Sequence, residues 1–142
     1  DRFTKIIKPY KIFMGEKDLQ QLYLVKKYIQ KKYNSRIILC KTIRNKDKLA
    51  LSSRNSLLSK TELKKASKFT QQVFSLKKKL GLIEDIEKFL RNKRKEFNKL
   101  FGIKIEYLEL RNNRNFKKTK SIKNSKLFLA YYINKIRLID NI

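Results

Sequence analysis

The chain reads as an α/β piece followed by a small α+β domain of helices packed on an antiparallel sheet, and three observations predict that order. Two short apolar runs, Tyr10-Lys11-Ile12-Phe13-Met14 and Arg36 to Cys40, flank a segment of helical period, the pattern of a βαβ unit with parallel strands. Between Ser59 and Gly102 two longer stretches carry apolar residues at helical spacing. After Gly102 the pattern turns to strand-like runs, so helices precede strands in a second layer pair. The change of character places a domain boundary near Leu57, giving domains 1–57 and 58–142. A chain of 142 residues has room for one ordinary domain or two small lobes.

The elements follow in order. Pro9 precedes the first run and Gly15 closes it, as a brief buried strand ending in a turn. A helix starts near Asp18, because Leu19, Leu22, Tyr23, the aliphatic stem of Lys26 and Ile29 recur on one side. Arg36 to Cys40, β-branched and apolar, is the second strand. Lys41 to Leu58 shows no sustained period and is rich in charge, Ser and Asn, the signature of a long functional loop. Ser59-Lys60-Thr61-Glu62 is a capping box, and the helix it opens should bury Leu63, Ala66, Phe69 or Thr70, Val73, Phe74 and Leu80 before Gly81 ends it. A third helix carries Ile83, Ile86, Leu90, Phe97 and Leu100, and Gly102 stops it. Ile103 to Tyr107 alternates as a half-exposed strand, and the alternation breaks at Leu108, which predicts a bulge or burial on both faces. Arg111 to Asn124 reads as a polar loop, Leu127 to Ile133 and Ile136 to Ile139 as strands.

A net charge of +26 points first to a basic RNA- or DNA-binding module. Two observations weigh against it. Lys, Ile, Asn, Phe and Tyr make up 72 of the 142 residues, the types that AT-rich codons supply, and the basic residues run along the whole chain instead of forming one block. The single cysteine, Cys40, rules out an internal disulfide and a Cys-based zinc cluster, and its place after Ile37-Ile38-Leu39 reads as a small buried side chain. With no histidine, Ser-His-Asp chemistry and His metal sites are excluded for these residues. No run approaches the roughly 20 apolar residues of a membrane span, and no signal peptide is visible, although the chain opens at Asp1 without Met. A cytoplasmic, soluble protein is the expectation.

Two runs carry candidate chemistry. Gly15-Glu16-Lys17-Asp18-Leu19-Gln20-Gln21 sets a glycine at the end of a parallel strand ahead of a helix, where α/β proteins bind phosphate, with Lys17 able to place an ammonium on it. An Asp18/Gln21 capping box with Lys17 as a solvated charge is the other reading. Leu51-Ser52-Ser53-Arg54 offers two hydroxyls and a guanidinium to wrap a triphosphate, or is simply a polar loop.

These two runs, with Leu57-Leu58-Ser59, Tyr107-Leu108-Glu109-Leu110 and the closing Arg137-Leu138-Ile139-Asp140-Asn141-Ile142, resemble the pantothenate synthetases (pantoate–β-alanine ligases). That family belongs to the nucleotidyl transferases, and its Met/Leu-Ser-Ser-Arg-Asn run is the counterpart of the Lys-Met-Ser-Lys-Ser loop of class I aminoacyl-tRNA synthetases. The resemblance covers the whole chain but only about the C-terminal half of the family's length. It implies that residues 1–57 are the last βαβ part of a Rossmann-like ATP- and pantoate-binding domain and 58–142 a lid. It also implies an ATP-dependent condensation of pantoate with β-alanine through pantoyl adenylate, with ATP as substrate and a possible homodimer. By that resemblance Gly15 and Asp18 hold the ribose, Glu16 adjoins the nucleotide, and Lys17 sits on the phosphates. Gln21 contacts pantoate, the Ile43 backbone meets adenine, and Leu51, Ser52, Ser53 and Arg54 close over the triphosphate. Lys17 and Arg54 are the implied catalytic residues. The family's His-x-Gly-His motif and the acidic residues associated with Mg2+ fall in the half preceding Asp1, so the chain by itself is expected to be an inactive part of a ligase. One departure stands out: Lys48 replaces the family's glycine in Asp47-Lys48-Leu49-Ala50, and a positive φ there would strain the turn by roughly 1–2 kcal/mol.

Overall fold

In the computed structural model, which describes residues 1–142, the two apolar runs near the N-terminus become β1 (Lys11–Gly15) and β2 (Arg36–Cys40). They pair in parallel, Lys11 opposite Arg36 and Gly15 opposite Cys40. Parallel pairing needs a crossover. It is supplied by α2 (Leu19–Val25), one π-helical turn (Lys26–Gln30) and α3 (Lys31–Tyr33). Asn34 leaves the helix in the left-handed region (φ 52°), which a short amide side chain tolerates. The buried Ser35 hydroxyl then donates to the Pro9 carbonyl at 2.7 Å and the Arg36 amide to Tyr10 at 2.8 Å, setting the two strands in register from their first residues. Leu22 and Ile29 are buried, whereas Lys26, expected on the same side, opens the π turn and lies exposed. A wider turn at that point changes which face each residue presents. A short α1 (Arg2–Ile7) precedes β1 with no periodicity to announce it; the Asp1 carboxylate is held by Lys32 (3.0 Å) and Tyr33 (2.9 Å).

These residues form one compact unit, Asp1–Thr42, and Ile43–Ile142 forms a second. The division falls ahead of the one drawn at Leu57, because residues after Thr42 bond to the C-terminal strand. Arg44 reaches Asp140 and Arg54 reaches the Arg137 carbonyl.

In the second unit α4 (Lys60–Lys79) and α5 (Ile86–Phe101) pack on an antiparallel sheet ordered β3 (Lys104–Asn112), β4 (Ser125–Ile133), β5 (Ile136–Asn141). Both arms of the capping box form: Ser59 Oγ accepts from the Glu62 amide at 3.3 Å, and the Glu62 carboxylate accepts from the Ser59 amide at 2.7 Å. Phe69 and Thr70 are both buried, with Ala66, Val73 and Leu76; Leu63 and Phe74 pack half-buried at the margin. Phe69 is the hub, edge-on to Phe97 (5.7 Å), Phe101 (5.7 Å) and Tyr131 (4.7 Å). Gly81 lies within a 3-10 turn, Leu80–Leu82, that extends α4. Asp85 caps α5 by accepting from the Lys88 amide at 2.9 Å, so Ile83 precedes the helix instead of belonging to it, and Leu100 faces solvent. Gly102 closes α5 in the left-handed conformation (φ 56°), where a side chain would be strained. The bulge in β3 sits between Ile105 and Tyr107, slightly before the break in alternation. It shifts the strand's phase so that Ile105, Leu108 and Leu110 all face inward.

Candidate nucleotide-binding site

The candidate residues belong to two units, each taken by itself: Gly15 to Gln21 in the first, Ile43 and Leu51 to Arg54 in the second. β1 ends at Gly15 in ordinary extended conformation (φ −68°, ψ 136°), so no positive φ demands glycine there. A Cβ at Gly15 would meet nothing within 4 Å. The position therefore leaves open room for another molecule to approach the backbone. Glu16–Asp18 forms a 3-10 turn leading into α2, with Glu16 and Lys17 half-buried. Asp18 occupies the N-cap position but its side chain makes no capping hydrogen bond, so the Asp18/Gln21 capping box does not form. Its backbone (φ −98°, ψ 51°) departs from the extended geometry in which a cap side chain meets the following amides. The carboxylate of Asp18 and the amide of Gln21 belong to solvent-exposed residues.

Residues 43 to 58, expected as a loop, are more tightly built than their lack of period suggests. Arg44 and Ala50 form an antiparallel bridge, and the Asn45 side-chain oxygen accepts from the amides of Asp47 (3.0 Å) and Leu49 (2.9 Å). An Asn side chain substituting for backbone acceptors is what closes so tight a turn. Within it Lys48 has φ 68°, the conformation that favours glycine. Its ammonium lies 5.2 Å from the Phe74 ring, a cation–π contact that offsets part of the strain. The exposed Ile43 uses its carbonyl to accept from the Leu51 amide at 2.9 Å. Ser52 then caps a 3-10 helix, Ser53–Leu57, by accepting from the Arg54 amide at 3.2 Å. The Ser53 carbonyl is taken by Ser56 Oγ at 2.7 Å. Arg54 Nη1 donates to the Arg137 carbonyl of β5 at 2.9 Å. Ile43, Leu51, Ser52, Ser53 and Arg54 are thus brought together on one framework with Arg137.

Arg44 organises that framework, and nothing in the sequence reading singled it out. It forms a bidentate pair with the buried Asp140 at 2.6 and 2.9 Å, donates to the carbonyls of Lys48 (3.0 Å) and Asn141 (3.2 Å), and stacks on Phe74 with its guanidinium carbon 5.0 Å from the ring centroid. The closing Arg-Leu-Ile-Asp-Asn-Ile run carried the signal, since an Asp on an apolar strand demands a cation. Arg137 itself pairs with Glu106 at 2.7 Å; that contact raises the arginine's pKa and lowers the glutamate's. No group of three or more His, Cys, Asp and Glu is placed to hold a metal ion.

The family model described as pantoate-beta-alanine ligase matches residues 1–142. The chain belongs to that family. Among pantoate–β-alanine ligases, the pantothenate synthetase of Flavobacterium psychrophilum is 34% identical over 147 residues, and that of a Clostridium botulinum strain 39% over 146. Both alignments take in 99% of this chain and 51% of the relative, so the chain spans about half the length of the curated relatives it matches. The pantothenate synthetase structure from Thermus thermophilus superposes with a TM-score of 0.85 at 26% identity, over 99% of this chain and 52% of that one. The Francisella tularensis ligase, described as complexed with beta-gamma ATP and beta-alanine, gives 0.74 at 32% identity over 99% and 46%. The nucleic-acid-binding reading is not favoured by these matches, whose names are all those of the ligase.

Proposed function

We propose that this chain supplies the C-terminal part of a ligase that condenses pantoate with β-alanine using ATP. The observation that carries the reading is the match of all 142 residues to the ligase family. The description of the Francisella relative, with a nucleotide and β-alanine bound, supports the substrates. In this reading the pantoate carboxylate attacks the α-phosphate, displacing pyrophosphate, and the β-alanine amine then attacks the acyl carbon and releases AMP. The first unit offers open backbone at Gly15 and the Asp18 carboxylate to the ribose, with Glu16 alongside and Lys17 toward the phosphates. Gln21 turns its amide toward pantoate. The second unit offers the Ile43 backbone to adenine, and Leu51, Ser52, Ser53 and Arg54 to the triphosphate. The Ser52 hydroxyl already accepts from an amide, which leaves its O–H to donate to a phosphate oxygen. Arg54 is held by one nitrogen, which leaves its remaining N–H groups for phosphate. Catalysis then comes from positioning and from cations that meet charge moving onto the pyrophosphate. Magnesium, a homodimeric state and a cytoplasmic setting belong to the same reading by family resemblance. No helix is long and apolar enough to cross a membrane.

The test is pantoate-dependent exchange of pyrophosphate into ATP, followed by AMP release on adding β-alanine. It is run on the chain alone and on the chain joined behind the N-terminal half of the Clostridium relative. The chain alone is expected to be silent and the fusion active. A folded fusion that exchanges no pyrophosphate overturns the reading.

A further inference from the structure

A cavity of about 360 Å³ opens in the second unit between the first turns of α5, β3 and the polar connection that follows β3. None of the candidate ligase residues lines it. Its floor is apolar, formed by Ile86 and Leu90 of α5 with Leu108 and Leu110 of β3, all buried. Its rim carries Arg91, Arg94, Lys118 and Lys120, against two carboxylates, Glu87 and Glu109. The acids are already answered. Lys118 lies 3.1 Å from Glu109 and 3.7 Å from Glu87, and Arg111 also grips Glu109. Burial alone would raise the pKa of Glu109, but the hydrogen bonds from Lys118 and Arg111 outweigh it and keep the group ionised. Arg94 is pinned at the rim through its Nε, 2.9 Å from the Ile105 carbonyl, with the rest of its guanidinium uncommitted. Arg91 and Lys120 have no carboxylate within ion-pair distance.

An apolar floor under a surplus of cations matches one kind of ligand. A bare phosphate leaves the floor uncovered, and a neutral hydrocarbon leaves the cations without a counter-charge. We propose that this cavity binds a small amphipathic anion, a carboxylate or phosphate head on a short apolar body, with the head at Arg91, Arg94 and Lys120 and the body on the four leucine and isoleucine side chains. The site is separate from the ligase reading and does not depend on it.

Residue-resolved NMR on the 15N-labelled 142-residue chain tests this, with octanoate as the probe and octanol and inorganic phosphate as its two halves. Octanoate is expected to shift amides of residues 86–94, 108–110 and 118–120, and to bind about tenfold or more tighter than either half. Arg91→Glu with Lys120→Glu should weaken octanoate by about tenfold or more, and the milder Arg91→Gln with Lys120→Gln should weaken it in the same direction. Lys64→Glu with Lys68→Glu, on α4 and equal in charge change, should leave it unaltered. Equal affinity for octanol or for phosphate overturns the proposal. So does equal weakening by the α4 pair, which would reduce the effect to net charge, or a shift pattern that avoids the cavity.

Discussion

The two units share one chain and one composition but not one kind of interior. The second encloses twenty buried apolar side chains in a single cluster, with two helices covering a face of the sheet. The first buries only Leu22 and Ile29 fully, and leaves Phe3, Tyr10 and Phe13 each more than 60% exposed. The difference lies in what each sheet requires. An antiparallel meander closed by hairpins can rest one face on helices and turn the other to water, whereas parallel strands are ordinarily covered on both faces. Ordering a residue costs about 1–2 kcal/mol of backbone entropy, and the second unit has far more apolar burial to set against it than the first. The more deeply packed part of this chain is therefore Ile43–Ile142, and candidate residues occur in both units.

The largest expected effect breaks the comparison at its centre. Phe69→Ala removes the ring that Phe97, Phe101 and Tyr131 meet edge-on, and should destabilise the second unit by about 3–5 kcal/mol. Hydrogen exchange should show β3, β4 and β5 amides losing protection while β1 and β2 amides, already fast, barely change. Equal protection of both sheets in the unaltered chain would contradict the contrast. Arg44→Ala comes next, at about 3 kcal/mol in a denaturant melt, because it strands the buried Asp140 carboxylate. Adding Asp140→Asn should recover part of that loss by removing the stranded charge, and no recovery would mean that the pair's electrostatics are not what holds residues 43–50.

Arg54→Lys in the full-length ligase should cost the adenylation step about 2 kcal/mol, since an ammonium cannot keep the β5 carbonyl and also fork onto phosphate. Near-normal pyrophosphate release in a single turnover would demote the Ser-Ser-Arg run to a connection. A smaller effect comes from pH. Glu62, Glu106 and Glu109, all in the second unit, are held below the usual carboxylate value of 4.5 by hydrogen bonds from Ser59, Arg137, and Lys118 with Arg111 respectively. A depressed folded pKa contributes stability that is present above the unfolded value and lost as pH falls through the folded one. The second unit should therefore melt at lower temperature as pH drops below 4.5, and Glu109→Gln should flatten that dependence by under about 1 kcal/mol. The smallest effect is Lys48→Gly. Relief of a φ of 68° is worth about 1–2 kcal/mol, but the lost contact with Phe74 and the greater freedom of unfolded glycine each return about 0.5–1 kcal/mol. A net change within about 0.5 kcal/mol is expected, and a gain above about 1 kcal/mol would show that the strain dominates.

Much of this was legible in order along the chain. β2 spans the residues its β-branched run predicts, the Ser59/Glu62 box forms with both arms, and Gly102 ends α5 in the left-handed geometry. These features rest on contacts a few residues apart, so local pattern determines them. Where the structure departs from the local pattern, a contact outside that pattern intervenes. Lys26 left the buried face at a π turn, Ile83 fell outside α5 because Asp85 caps it, and α1 is tied down by Asp1 reaching Lys32 and Tyr33.

The candidate site divides the same way. The sequence by itself determined which residue types recur in which order, and hence the resemblance to a ligase and the list from Gly15 to Arg54. It could not show that Arg44 reaches Asp140, that Arg54 rests on the Arg137 carbonyl, or that residues 43–58 belong with the C-terminal sheet. Those partners are 83 to 97 residues apart in the chain, and no spacing rule reaches so far. Only the folded sheet brings β5 beside the 43–54 segment, where the buried charge of Asp140 can be met and the loop given its shape.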